Sequence, residues 1–146
     1  LLDDPLNSLM AREWYSHLKQ EAYSKWHRKF DGIAMIDVDS IEVCPHCTQP
    51  LAFIELAKDT GQKFKAYTLT KKLADKFEVP GFVVFYTTDD KNEIIKFRVQ
   101  RVAPVIGLIN NNVEPDSWLQ YLKQIQQEHG CGLKIDDDNW SYGGTI

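Results

Sequence analysis

A Cys-x-x-Cys motif, Cys44-Pro45-His46-Cys47, separates two segments rich in apolar residues, and it constrains the fold more than any other feature of the sequence. If the motif begins a helix, the helix dipole lowers the pKa of its first thiol, as in redox enzymes. If the motif is the tip of a β-hairpin, residues 51–57 (LAFIELA) form a strand that pairs with residues 33–43. The apolar run over 51–57 is too short for its periodicity to separate helix from strand. The two alternatives lead to different functions.

The rest of the sequence predicts an α/β fold in which helices and strands follow one another closely. Apolar residues at four-residue spacing predict the helices, and their tryptophans, among them Trp26 and Trp118, are expected in the core. The predicted elements in chain order are a helix over 7–29, strands over 33–43 and 51–57, a helix over 70–78, strands over 82–88 and 93–102, a loop over 103–113, and a final helix from Pro115 that ends at Gly130.

Length and composition predict one domain. The chain has 146 residues, of which 43% are hydrophobic, and this suits a single core over 1–133 followed by a mobile tail over 134–146. No apolar run approaches the roughly 18 residues of a membrane span, and the N-terminus lacks a signal-peptide pattern. Three cysteines are too few for the disulfide framework of a small secreted domain. We therefore expect no membrane partner and a cytoplasmic protein.

The helical alternative makes the chain a thioredoxin-like thiol-disulfide oxidoreductase. Val79-Pro80-Gly81, before the strand FVVFY, resembles the proline loop that packs against the sulfurs of such enzymes. The stretch from Cys47 to Pro80 is short for the helix, strand and helix that the family places there. Asp37 and Asp39 would also lie on a central strand covered on both faces, where unpaired carboxylates are costly. This alternative stays open.

The hairpin alternative brings three carboxylates together. Alternation along 33–43 turns Ile36 and Val38 toward the core and Asp37 and Asp39 to the other face. Glu55 on the second strand then lies opposite the two aspartates. Because like charges packed together raise each other's pKa unless a cation neutralises them, such a cluster favours Mg²⁺ or Mn²⁺.

The segments WHRKFDGIAMIDVDSIEV, PLAFIELAKD and VPGFVVFY resemble the PD-(D/E)xK nuclease superfamily, in particular small phage and bacterial proteins. The resemblance covers about residues 10–102. It implies a restriction-endonuclease-like core, a sandwich of helix, hairpin, helix and strands, to which this chain adds a C-terminal helix. It also implies a metal-dependent nuclease acting on DNA, in the host cell cytoplasm if the protein is phage-encoded.

By the same resemblance, Asp39 corresponds to the motif aspartate and Glu55 to the motif glutamate, with Asp37 as a further metal ligand. The motif lysine, two residues after the glutamate, is replaced by Ala57. Another lysine must then supply the ammonium, and we prefer Lys65 over the alternatives Lys58 and Lys71. If no lysine reaches the site, the resemblance implies a nucleic-acid-binding protein that does not cleave.

Basic residues gather in two segments although the net charge is −4. A solvated helix face explains such lysines as well as a nucleic-acid groove does, but cations beside an acidic centre suit the phosphate backbone. The residues predicted to contact nucleic acid are His27, Arg28, Lys63, Lys71 and Lys72.

The Cys-x-x-Cys motif also resembles half of a zinc knuckle, in which a tight turn directs two thiolates at one ion. Cys44 and Cys47 supply two ligands for Zn²⁺. The missing pair comes from His129 and Cys131 after the last helix, from His46, or from a second copy of the chain in a homodimer. A pair of reduced cysteines without a metal is an equally simple explanation.

Overall fold

The computed structural model describes residues 21–131, which fall into two compact units that divide between Ile36 and Asp37. The prediction of one domain over 1–133 stays a prediction. The predicted mobile tail over 134–146 lies outside the described residues. Within residues 21–131, no helix has both the length and the apolar character needed to cross a bilayer.

In the first unit, residues 21–27 form the described part of a helix, α1, and turns follow it up to residue 32. The part of the predicted first helix before residue 21 lies outside the described residues. The Trp26 ring meets the Phe30 ring edge-on, with centroids 5.2 Å apart. Trp26 is 50% exposed, so the prediction that it is a core residue is wrong: its ring packs on aromatic neighbours of its own segment.

The second unit is a five-stranded mixed sheet with two helices, which confirms an α/β fold. The strands occur in the sheet in chain order, β1-β2-β3-β4-β5, and β2 and β3 are parallel while all other neighbours are antiparallel. A parallel pair needs a crossover, and a helix provides it between β2 and β3. The elements are β1 Ser40–Val43, β2 Pro50–Lys58, α2 Thr68–Phe77, β3 Gly81–Thr88, β4 Ile94–Ala103, β5 Asn110–Val113 and α3 Pro115–Glu128.

The Cys-x-x-Cys motif lies in the turn between β1 and β2. The two strands pair antiparallel, with Ser40 opposite Ile54. The Cys44 amide donates to the Gln49 carbonyl at 2.9 Å, and Thr48 has a left-handed backbone with φ of 60°. The hairpin prediction is therefore confirmed. The helix that the oxidoreductase alternative requires after the motif does not form, because this apolar run pairs on both sides as a strand.

The predicted strand over 33–43 is too long, since only Ser40–Val43 pairs with β2. The reason lies in Asp39, whose Oδ2 accepts the Leu56 amide at 2.9 Å in place of a backbone carbonyl. A side chain that competes in this way ends the ladder. Ile36 is 69% exposed, so its predicted burial is wrong, whereas Val38 packs on a core cluster as expected.

The prediction of a loop throughout 103–113 is wrong, since this segment contains the strand β5. β5 pairs with β4, with Phe97 opposite Val113 and Val99 opposite Asn110. Three consecutive asparagines have little intrinsic preference for a strand, so the pairing reflects the free edge that β4 offers.

The two helices lie on opposite faces of the sheet. Alternate residues of β2, including Ala52 and Ile54, belong to the cluster on which α3 packs, and Phe53 belongs to the cluster that includes Ala74 of α2. Period-two alternation then places Glu55 on the face covered by α2. On α3, Trp118, Tyr121 and Ile125 pack on the core, as predicted for Trp118, while Leu119 is 46% exposed.

Candidate functional site

Asp39, Glu55 and Lys65 come together at the end of β1 opposite the Cys-x-x-Cys turn, and we call these three residues the acidic centre. The Lys65 ammonium lies 2.5 Å from Asp39 Oδ2 and 3.4 Å from Glu55 Oε2. It also donates a hydrogen bond to the Leu56 carbonyl. Oxygen atoms from three residues therefore surround one cationic position.

The backbone of the hairpin sets this geometry. Ser40 pairs with Ile54, so the residue before Ser40 lies beside the residue after Ile54, and these are Asp39 and Glu55. Lys65 comes from the link between β2 and α2 and lies in the loop that passes over this end of the sheet. The acidic centre thus depends on the register between β1 and β2 and on the loop between β2 and α2.

Glu55 is a buried carboxylate, only 9% exposed, which is costly unless its oxygens have partners. Thr70 of α2, fully buried, donates its hydroxyl to Glu55 Oε1, and Lys65 faces the other oxygen. The sequence did not indicate that Thr70 belongs to this site. The structure adds two facts that the sequence does not give: Thr70 is buried, and its hydroxyl contacts Glu55.

The environment of Asp39 favours its charged form. Partial burial raises the pKa of Asp39, but hydrogen bonds from the Lys65 ammonium and the Leu56 amide outweigh that effect and hold the pKa below its usual range. Asp39 is therefore an anion at neutral pH, paired with the Lys65 ammonium.

The other residues predicted for this site lie apart from it. Asp37 is exposed, and within residues 21–131 it makes no hydrogen bond or ion pair with the acidic centre. Lys71 donates to the Val102 carbonyl at 3.2 Å and pairs with Asp75 at 3.3 Å. Lys58 is exposed. Of the three lysines considered for the motif position, Lys65 is the one that reaches both carboxylates.

The residues predicted to contact nucleic acid are distributed over both units. Lys63 and Lys72 are exposed in the second unit, and Lys71 is engaged with carbonyls as described. His27 and Arg28 lie in the first unit, where the Arg28 guanidinium donates to the Ser24 carbonyl at 3.2 Å.

A second ion pair, which the sequence did not predict, fixes the loop that carries Lys65. Arg98 on β4 makes two hydrogen bonds to the Asp59 carboxylate, at 2.8 and 3.0 Å, and one to the Gln62 carbonyl at 2.7 Å. Its guanidinium lies 4.4 Å from the centroid of the Phe85 ring. The hydrogen bonds from Arg98 hold the pKa of Asp59 below its usual range.

A second candidate site lies at the other end of β1, where Cys44, Cys47, His129 and Cys131 meet; we call it the Cys/His tetrad. One ligand atom from each of these residues lies within 4.8 Å of all the others. Cys47 Sγ is 3.2 Å from His129 Nε2, although 82 positions separate the two residues. The tetrad could hold a metal ion, and its members are those predicted as the zinc ligands when the last helix supplies the second pair.

The thiols of the tetrad differ in their surroundings. Burial raises the pKa of Cys44, but hydrogen bonds from the backbone of Cys47 and His46 outweigh it, and the pKa lies below its usual value. A backbone hydrogen bond at Gln49 lowers the pKa of Cys47, yet desolvation and the neighbouring thiols of Cys44 and Cys131 raise it above the usual value. All three cysteines are free thiols.

No family model matches the chain, and no curated protein and no solved structure matches it either.

Proposed function

We propose that the chain is a metal-dependent nuclease of the PD-(D/E)xK type, which hydrolyses DNA phosphodiester bonds with Mg²⁺ or Mn²⁺ at the acidic centre. One observation carries the proposal: the Asp39 and Glu55 carboxylates and the Leu56 carbonyl surround the Lys65 ammonium. Oxygen ligands of this kind are those that Mg²⁺ and Mn²⁺ prefer. These three oxygen donors therefore fit the metal, and the Lys65 ammonium occupies the position that the metal ion would take.

The order of elements supports the same proposal. A hairpin of β1 and β2 carries the aspartate before its first strand and the glutamate in its second, and α2 leads to β3, parallel to β2. The superfamily core has a hairpin, a helix and a further strand in this order. Lys65 lies nine positions beyond Leu56, whose carbonyl it contacts, so a loop lysine replaces the one missing at Ala57.

Each residue of the acidic centre has a proposed role in hydrolysis. Asp39 and Glu55 bind the cation, and the Leu56 amide and the Thr70 hydroxyl hold the two carboxylates in place. The metal, when bound, supplies Lewis-acid polarisation of the scissile phosphate and makes the attacking water more acidic. Lys65 then releases the carboxylates and donates to a phosphate oxygen, where it stabilises the developing negative charge.

DNA suits the charges around this centre. Several lysines before and within α2 are exposed and available to phosphate groups, which carry most of the affinity in such complexes. These exposed lysines are Lys58, Lys63, Lys72 and Lys76. Binding through them is sequence-independent, so the proposal includes no base preference.

Supercoiled plasmid and linear duplex DNA, incubated with Mg²⁺ or Mn²⁺, test the proposal. The wild type is expected to cleave in the presence of metal and to stop when EDTA is added. Glu55→Gln, which keeps the size of the side chain and one acceptor oxygen for the Thr70 hydroxyl but removes the charge, is expected to be inactive. Glu93→Gln, at an exposed position of the β3–β4 turn, is the matched control and should cleave normally.

A gel-shift assay on the same samples distinguishes a nuclease from a protein that binds nucleic acid without cleaving it. If wild-type protein retards DNA with and without metal but leaves it intact, the nuclease proposal is contradicted and the chain is a nucleic-acid-binding protein. If it neither binds nor cuts, both are contradicted. The cofactor of hydrolysis in this proposal is Mg²⁺ or Mn²⁺, while Zn²⁺ belongs to the Cys/His tetrad and takes no part in the reaction.

A further inference from the structure

We propose that the Cys/His tetrad is a structural zinc site that fastens the tip of the β1–β2 hairpin to the C-terminal end of α3. Three sulfur atoms and one imidazole nitrogen, all within 4.8 Å of one another, form the proposed ligand set. This inference does not depend on the proposed hydrolysis, because the tetrad shares no residue with the acidic centre.

The chemistry of the donors selects the metal. Thiolate and imidazole ligands suit Zn²⁺, whereas Mg²⁺ and Ca²⁺ require oxygen ligands, and the tetrad offers none from its side chains. A tetrahedral zinc with bonds of about 2.0–2.3 Å holds its ligand atoms roughly 3.5–4 Å apart. The contact of 3.2 Å between Cys47 Sγ and His129 Nε2 and the overall span of 4.8 Å bracket that separation.

Two tight turns hold the four ligands in place without a metal. At the hairpin tip, the Thr48 amide donates to the Cys44 carbonyl at 2.8 Å, so that both cysteines of the motif lie on one side of the turn. After α3, the His129 amide still donates to the Ile125 carbonyl at 3.1 Å, and Gly130 adopts a left-handed conformation with φ of 58°. That glycine reverses the chain and returns Cys131 toward His129.

Four protein side chains would fill the coordination sphere of the proposed zinc, which indicates a structural role. A tetrahedral zinc with four protein ligands keeps no position for water or substrate. Cys44 is 1% exposed, and α3 packs on the core through Trp118 and Tyr121, so the metal joins a hairpin tip to a helix that is already anchored. We therefore expect the metal to stabilise the fold rather than react.

His46 is the internal control for the ligand assignment. It lies between the two cysteines of the motif, and its Nδ1 is buried without a hydrogen-bond partner within residues 21–131. Its nitrogen nevertheless stands outside the set of mutually close ligand atoms. Removing the His46 imidazole should leave zinc in place, and removing the His129 imidazole should release it.

The test is the metal content of the full chain, purified under reducing conditions and measured by plasma mass spectrometry. We expect one zinc per chain in the wild type and in His46→Asn. His129→Asn and Cys131→Ser should lower the zinc affinity by more than about 100-fold, which exceeds the loss caused by changing a residue that only contacts a ligand. Replacement by Co²⁺ should give the intense visible absorption of a tetrahedral thiolate site. After the metal has been removed from the wild type, the midpoint temperature of unfolding should rise when zinc is added back.

Three results would overturn the inference. One is a wild type that is free of metal after reduction and does not take up zinc or Co²⁺. Another is a disulfide among Cys44, Cys47 and Cys131 that forms in preference to metal binding, seen by mass spectrometry of the alkylated protein. The third is zinc retained by His129→Asn but lost by His46→Asn. If the ligand variants fail to fold, Co²⁺ titration of the reduced wild type still decides between the outcomes.

Discussion

The two ends of strand β1 hold polar clusters of opposite kind. Asp39 precedes the strand and belongs to a cluster of oxygen atoms around a lysine, while Cys44 follows it and belongs to a cluster of three thiols and an imidazole. The acidic centre already contains a cation, the Lys65 ammonium, whereas the tetrad could hold a metal ion. One short strand thus links a cluster of oxygen atoms to a cluster of sulfur and nitrogen atoms.

The largest expected effect is that of Asp39→Asn, which should change the acidic centre but not the Cys/His tetrad. Asp39→Asn should abolish Mn²⁺ binding at the acidic centre and lower DNA cleavage by about 10³-fold or more, because a bound metal would lower the activation barrier by several kcal/mol. Its zinc content should not change. Cleavage rates, Mn²⁺ calorimetry and zinc analysis on one preparation measure all three.

Asp37→Asn is the matched control for that variant. Asp37 is exposed two positions earlier and makes no contact with the centre within residues 21–131, so its variant should keep both metals and most of the activity. Equal losses in the two variants would mean that the position of Asp39 has no special role.

Lys65 should separate metal affinity from catalysis. The ammonium bonds to the oxygens that would bind the metal, so Lys65→Met should tighten Mn²⁺ binding. The same variant should lower the cleavage rate by about 10²–10³-fold, the usual effect of removing one donor to the transition state. Lys91→Met, in the exposed β3–β4 turn, should change neither. Weaker Mn²⁺ binding in Lys65→Met would contradict the competition.

Thr70→Val tests the support behind Glu55. The valine leaves Glu55 Oε1 without its partner in a buried place, which should cost about 1–3 kcal/mol of stability and about 10–100-fold in metal affinity. Thr68→Val, at the exposed start of α2, is the control. Urea unfolding and Mn²⁺ titration give the two quantities, and a stable Thr70→Val protein with normal affinity would show that the hydroxyl is dispensable.

The Arg98–Asp59 pair should give the smallest effect, and one that depends on pH. Asp59→Asn should lower the free energy of unfolding by about 2 kcal/mol at pH 7, since it weakens hydrogen bonds between charged groups. The folded state holds the pKa of Asp59 below its ordinary value of about 3.9. The stabilisation is therefore complete above about pH 4 and is lost as the pH falls through the lowered pKa. The free energies of unfolding of wild type and variant, measured with urea, should converge once the pH is below the lowered pKa of Asp59. A difference between them that grows as the pH falls would contradict this account.

Much of the fold could be predicted because its local patterns are clear. The α2 and α3 helices and the β3 and β4 strands follow from spacing, proline and glycine signals within a few residues. The late start of β1 at Ser40 could not be predicted, because it depends on a hydrogen bond between Asp39 and the amide of Leu56. The β5 strand could not be predicted either, since its asparagines pair only where β4 presents an edge.

The candidate sites, too, could be predicted only in part from local patterns in the sequence. The sequence brought Asp39, Glu55 and Lys65 into one hypothesis, and it named the four members of the tetrad. The role of Asp37 as a metal ligand stays a prediction, but the strand alternation behind it was extended over residues that do not pair. The sequence missed Thr70 and Arg98, whose roles depend on contacts between elements far apart in the chain.

Anomalous diffraction from crystals soaked in Mn²⁺ tests the central claim most directly. The account predicts a manganese peak bonded to oxygens of Asp39 and Glu55, with the Lys65 ammonium moved away from Asp39. A map without manganese at that position, in which Lys65 still bridges the two carboxylates, would contradict the claim that the acidic centre is a metal site.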